Sequence, residues 1–153
     1  MDFYFLDTSA VIKAYIQEVG SGYVKELLSN SSNVLFVTVI TAAEGIAGLN
    51  KRHRMGDIST SDWNAARLDF LKDYRHRFKK TQISKDVIDK AISLLNQYPL
   101  RGYDSVQLAN ALLIYDLLQR HRKVSLTFVC ADMLLCNTAS SEGLNVENPL
   151  SHP

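Results

Sequence analysis

The amino-acid sequence predicts an α/β fold, with a central, mostly parallel sheet of four to five strands flanked by helices in three layers. Short apolar runs rich in β-branched and aromatic residues recur at Phe3–Leu6, Val34–Ile40, Leu126–Cys130 and, more weakly, Leu144–Val146, as strands buried on both faces require. Amphipathic helical patterns separate these runs, and strand alternating with helix is the signature of a parallel sheet covered on both sides. The chain has 153 residues, 46% of them apolar, enough for one compact domain to bury its own core.

In chain order, the strand pattern Phe3–Leu6 is followed by helical patterns at Ala10–Glu18 and Gly22–Ser29. The run Val34–Ile40 leads into two longer helical patterns, Thr41–Arg54 and Thr60–His76. Phe78–Ser84 reads either as a loop or as a polar edge strand, whose lysines would resist pairing with foreign strands. Helical patterns at Asp86–Gln97 and Tyr103–His121 precede the last two strand runs. No repeat, low-complexity tract or Pro/Gly/Ser-rich linker divides the sequence. The expectation is a single domain over 1–153, with its core about 3–146 and residues 147–153 a loose tail without periodicity.

Charge and cysteine usage narrow the function. Lys plus Arg number 17 and Asp plus Glu 16, a balance that excludes nucleic-acid binding by bulk electrostatics, so any such contact must be local. Cys130 and Cys136 suggest neither a disulfide scaffold nor metal-ligand spacing, and a reducing cytoplasm fits them. The N-terminus lacks the pattern of a signal peptide. The apolar segment Val106–Leu118 contains Gln107, Asn110 and Asp116 and falls short of the roughly 20 apolar residues that span a bilayer, so no membrane contact is expected.

Four acidic residues occupy equivalent places in this alternation. Asp7 follows the first strand run and Asp132 follows LTFVC, while Glu44 and Asp104 sit in the first turns of helices. In open α/β sheets ligands bind beyond the carboxyl ends of the strands, and strand-to-helix connections put helix N-termini at that same edge. Each acid alone has a purely structural explanation. Thr41-Ala-Ala-Glu44 matches a capping box, Asp104 suits the helix dipole, and Asp7 and Asp132 suit turns after strands. Together they describe a pocket of four mutually repelling carboxylates, which is sustainable with a divalent cation; carboxylate and water ligands favour Mg²⁺ or Mn²⁺.

The segments Leu6-Asp7-Thr8-Ser9-Ala10, Thr41-Ala-Ala-Glu44, Leu100-Arg-Gly-Tyr-Asp104-Ser-Val-Gln-Leu-Ala109 and Phe128-Val-Cys-Ala-Asp132-Met-Leu-Leu resemble, in order and spacing, the PIN domain, particularly the VapC-type toxins of bacterial toxin–antitoxin pairs. The resemblance implies that Asp7, Glu44, Asp104 and Asp132 are the catalytic acids and bind Mg²⁺ or Mn²⁺, with Thr8 as a supporting hydroxyl. It implies cleavage of RNA, a small antitoxin partner and a homodimer. Cys130 departs from the pattern, since many relatives carry Ser or Thr there, and extra length around Asp57 to Lys80 distinguishes the chain from a minimal toxin.

The chemistry that follows is metal-assisted hydrolysis of a phosphodiester, leaving 5′-phosphate and 3′-hydroxyl ends. Asp7 and Asp104 are read as direct ligands; Glu44 and Asp132 hold the ion through water or accept the proton of the attacking water, in either assignment. Basic stretches at Lys51–Arg54, Arg75–Arg77 with Lys79-Lys80, and Arg120–Lys123 are candidate phosphate contacts, or simply solvated helix ends. Two other classes of function compete. A Mg²⁺-dependent phosphatase or phosphoacceptor domain also gathers acids at a sheet edge, but the common phosphatase pattern has a second Asp where this chain has Ser9. A non-catalytic PIN-like RNA- or protein-binding module would be free to lose some of the four acids, and all are present.

Overall fold

The computed structural model describes residues 1–153. Five parallel strands, β1 (Phe3–Leu6), β2 (Val34–Thr38), β3 (Lys79–Thr81), β4 (Thr127–Val129) and β5 (Asn145–Glu147), form one sheet in the order β3-β2-β1-β4-β5. The helices are α1 (Thr8–Val11), α2 (Ser21–Ser29), α3 (Thr41–Arg54), α4 (Thr60–His76), α5 (Lys85–Gln97), α6 (Gly102–Arg122) and α7 (Met133–Ser141).

The two-residue alternation of the strands assigns the layers. Phe3 and Phe5 of β1 and Phe128 of β4 enter one apolar cluster with Val87, Leu94 and Leu108 from α5 and α6. Leu6, Leu35 and Val37 face the other way, into a cluster with Val24, Leu49 and Phe70 from α2, α3 and α4. α3 and α4 approach closely because position 45 is Gly: a Cβ there would stand 2.4 Å from Cζ of Phe70. The chain order reverses at β1, which pairs with β2 on one side and β4 on the other. Parallel sheets leave a crevice beyond the carboxyl ends of the strands at such a switch point.

Several expectations are corrected. The first helical pattern, Ala10–Glu18, is realised as the short α1 and a 3₁₀ turn at Ile12–Ala14, because the Asp7 side chain caps a start two residues earlier, at Thr8, accepting from the Ser9 amide. Phe78–Ser84 resolves as the edge strand β3, with Lys79 and Lys80 exposed. α7 is an additional helix, absent from the periodicity because Met133-Leu134-Leu135 presents an apolar run without alternation; Asp132 starts it, accepting from the Leu135 amide at 2.8 Å. The expected loose tail packs: Pro149 is buried, its backbone so close to Gly20 that a Cβ there would lie 2.6 Å from the Pro149 oxygen, and His152 stacks on Tyr23 at 4.1 Å. No helix is long and apolar enough to cross a membrane.

Candidate metal-binding acidic site

Asp7 is at the carboxyl end of β1 and Asp132 one turn beyond β4, and the two strands are neighbours. The Asp7 amide donates to the Val129 carbonyl at 2.9 Å, tying the two strand ends together. Asp7 is 4% exposed. Burial of its carboxyl, reinforced by the charges of Asp104 and Glu44, outweighs two hydrogen bonds from Ser9 and raises its pKa to about 6. Glu44 is also raised, chiefly by burial and further by Asp104, against the pull of the Thr8 hydroxyl and the Gln107 amide. Burial raises Asp104 too, with Asp132 adding to it and Arg101 opposing. All four acids therefore lie within electrostatic reach of one another in a chain of pairs, and none takes part in an ion pair.

The structural readings of the acids divide. Asp7 and Asp132 do cap helices, each with one carboxylate oxygen, which leaves the other oxygen available. The capping box does not form. Thr41 is the first helical residue after the N-cap Ile40, and its hydroxyl meets Thr38 Oγ1 at 3.1 Å and Gln107 Nε2 at 3.4 Å. Glu44 is thereby free of capping duty, and its buried Oε1 has no hydrogen-bond partner. Asp104 lies in the first turn of α6 without capping it; Ser105 instead donates to the Gly102 carbonyl.

Residue by residue, a divalent ion fits this donor set. A buried carboxylate with a raised pKa and no cation beside it, next to a second carboxylate with an orphaned oxygen, is unfavourable without positive charge. No group of three or more His, Cys, Asp or Glu side chains is gathered into a ready cage. That arrangement suits Mg²⁺ better than an ion demanding full protein coordination, because Mg²⁺ keeps several waters and takes only one or two carboxylates directly.

Three further residues contribute that pattern reading missed. Ser9 donates its hydroxyl to Asp7 Oδ2 and accepts from the Ala131 amide at 3.0 Å, so one side chain joins the first acid to the loop carrying the last. Cys130, the departure from the family pattern, is buried in the apolar cluster with its sulfur against that of Cys136, the two Cα atoms 6.2 Å apart. Thr8, the expected supporting hydroxyl, lies beside Glu44 and accepts from Gln107 Nε2 at 3.2 Å. Arg101, just before Asp104, is the cation that acts on the site. Spacing within the LRGYD segment was the available signal for Arg101, and the Asp-Thr-Ser order for Ser9; Gln107 looked like an interruption in a core helix.

The basic stretches mostly serve the fold. Arg77 donates to the carbonyls of Leu28, Asn30 and Asn33, and Arg52 pairs with Glu18. Arg120–Lys123 closes α6 at the end opposite Asp104, about 24 Å away at 1.5 Å per residue. Beside the acids, Ile88, Ile92, Leu95, Arg101 and Tyr103 line a groove of about 670 Å³ that opens onto Glu44 and Asp104.

The sequence matches the PIN domain family over residues 4–128. Among solved structures it is similar to PAE2754 from Pyrobaculum aerophilum, at 20% identity and TM-score 0.60 over 95% of this chain and 83% of that one. It is similar to a toxin–antitoxin complex from Klebsiella pneumoniae, at 18% identity and TM-score 0.59 over 95% and 97%. A third is VapC20 of Mycobacterium tuberculosis, described as a sarcin-ricin loop cleaving toxin, at 16% identity and TM-score 0.60 over 92% and 95%. No curated protein matches the chain. At these identities the structural likeness speaks for the fold, and the family match, which spans most of the sequence, makes the chain a member of the PIN-domain family.

Proposed function

We propose that this protein is a metal-dependent endoribonuclease of a single domain and the toxin of a toxin–antitoxin pair. The observation that carries the reading is the buried, cation-free Asp7 carboxyl, raised to about 6 with Glu44 and Asp104 beside it. Asp7, Glu44, Asp104 and Asp132 would hold Mg²⁺ or Mn²⁺, which supplies positive charge to the phosphodiester and lowers the pKa of water. Ser9 keeps Asp7 in register with the Asp132 loop. Asp7 and Asp104 are the direct ligands. Of the remaining two acids, Glu44 is better suited to accept the proton of the attacking water, because Asp132 Oδ1 is engaged at the start of α7 whereas Glu44 Oε1 is free and its carboxyl is held above the usual range. Arg101 is placed to meet a phosphate entering beside Asp104.

The toxin assignment draws on two of the similar structures, one a toxin–antitoxin complex and one an RNA-cleaving toxin. The partner is a small antitoxin that lays an apolar segment in the groove beside α5 and directs an Arg side chain at the acids, and the protein works as a homodimer in the cytoplasm. Purified protein incubated with total RNA should cleave it with Mn²⁺ and not with EDTA, giving 5′-phosphate and 3′-hydroxyl ends. Intact RNA with Mn²⁺ present, alongside release of phosphate from small esters, would replace this reading with a phosphatase. Co-purification from the native source and light scattering test the antitoxin and the dimer.

A further inference from the structure

Gln107 is fully buried on α6, one turn after Asp104 and on the same face, in a stretch of the helix whose residues Leu108, Ala109 and Ala111 are buried too. Nothing in the packing asks for an amide here. Its Oε1 has no hydrogen-bond partner, and an unpartnered buried acceptor makes the residue costlier than Met or Leu of similar volume. What the amide gains is on its nitrogen side. Its two amide hydrogens point to Thr8 Oγ1 at 3.2 Å, next to Asp7, and to Thr41 Oγ1 at 3.4 Å, one turn before Glu44 on α3.

Resting on the metal-site reading above, we propose that Gln107 is a positioning residue for Glu44. Its amide ties α6 to α1 through Thr8 and to α3 through Thr41, and so fixes the first turn of α3, which carries Glu44, against the segments that carry Asp7 and Asp104. Outer-shell partners that orient ligands in this way typically carry 10- to 100-fold of metal affinity.

The test is a double-mutant cycle read by electron paramagnetic resonance of free Mn²⁺, with the melting temperature in EDTA measured in parallel. Gln107→Met should melt at or above the wild-type temperature, since the orphaned acceptor is gone, yet bind Mn²⁺ about 10- to 100-fold more weakly. In a Glu44→Gln background the Met substitution should cause no further loss, because its effect runs through Glu44. If Gln107→Met does not fold, Thr41→Val, which removes one anchor, takes its place and should give a smaller loss in the same direction. Unchanged Mn²⁺ affinity in Gln107→Met, or a loss that simply adds to that of Glu44→Gln, overturns the role of Gln107 while leaving the metal site standing. A wild-type protein that binds no Mn²⁺ overturns both.

Discussion

Asp7→Asn separates a metal-site carboxylate from an ordinary helix cap. The Asp7 carboxyl has its pKa raised from 3.8 to about 6 in the folded chain, mainly by burial. A folded pKa above the unfolded one means that the native state keeps its proton longer, so stability is lost as pH rises from about 4 to about 6 and stays lost above that. Two pKa units at 1.36 kcal/mol each amount to about 3 kcal/mol. Asn carries no charge to bury and caps a helix as well as Asp does, so the variant should match wild type near pH 4 and exceed it by up to about 3 kcal/mol at pH 7 and above. For a chain of this size that is a rise in melting temperature of about 6 to 12 °C. Saturating metal should reverse the order, because an ion at 100 times its Kd stabilises wild type by about 2.7 kcal/mol and the variant has lost a ligand. The assay is a series of thermal melts across pH 4 to 8 in EDTA and in Mn²⁺. An Asn variant that melts below wild type in EDTA at neutral pH, and keeps the full Mn²⁺ shift, refutes the reasoning.

Three other substitutions probe neighbouring links. Asp132→Ala removes the cap on the Leu135 amide and should cost about 1 kcal/mol, whereas Asp132→Asn should keep the stability and lose cleavage all the same; urea melts and RNA assays of the pair distinguish capping from catalysis. Ser9→Ala takes the hydroxyl hydrogen bond from Asp7, leaves the one from the backbone amide of residue 9 and strands the Ala131 amide, with an expected cost of about 1 to 3 kcal/mol. Because the hydroxyl bond helps hold the Asp7 pKa down, its loss should also move the acid limit of Mn²⁺-induced stabilisation to higher pH, visible in melts from pH 5 to 8. Gly45→Ala pushes a methyl group into the Phe70 ring and should destabilise by about 1 to 3 kcal/mol, leaving Mn²⁺ affinity unchanged when measured well below the melting temperature.

Much of this protein can be read from local sequence, because parallel strands buried on both faces write themselves as short apolar runs and long helices as periodic ones. Thr41–Arg54 and Thr60–His76 coincide with α3 and α4, and the positions of Asp7, Glu44, Asp104 and Asp132 at one edge follow from strand-to-helix order alone. Where local cues are short or compete, the sequence misleads. The first helix begins earlier and ends sooner than its pattern because Asp7 itself caps it. α7 rests on an apolar run that has no period, and the tail is ordered by Tyr23 and Gly20, more than a hundred residues away in sequence. Thr41 and Glu44 spell a capping box that tertiary contacts cancel: Thr38 and Gln107 occupy the Thr41 hydroxyl, and Glu44 is left with a buried oxygen that has no partner. The sequence by itself determined which acids are present and at which edge they gather, since strand direction and helix start are local properties. Only the tertiary structure decided how each is held, by Ser9 across 122 residues and by Gln107 across 99 and 66, because a hydrogen bond between distant segments leaves no periodic trace in either of them.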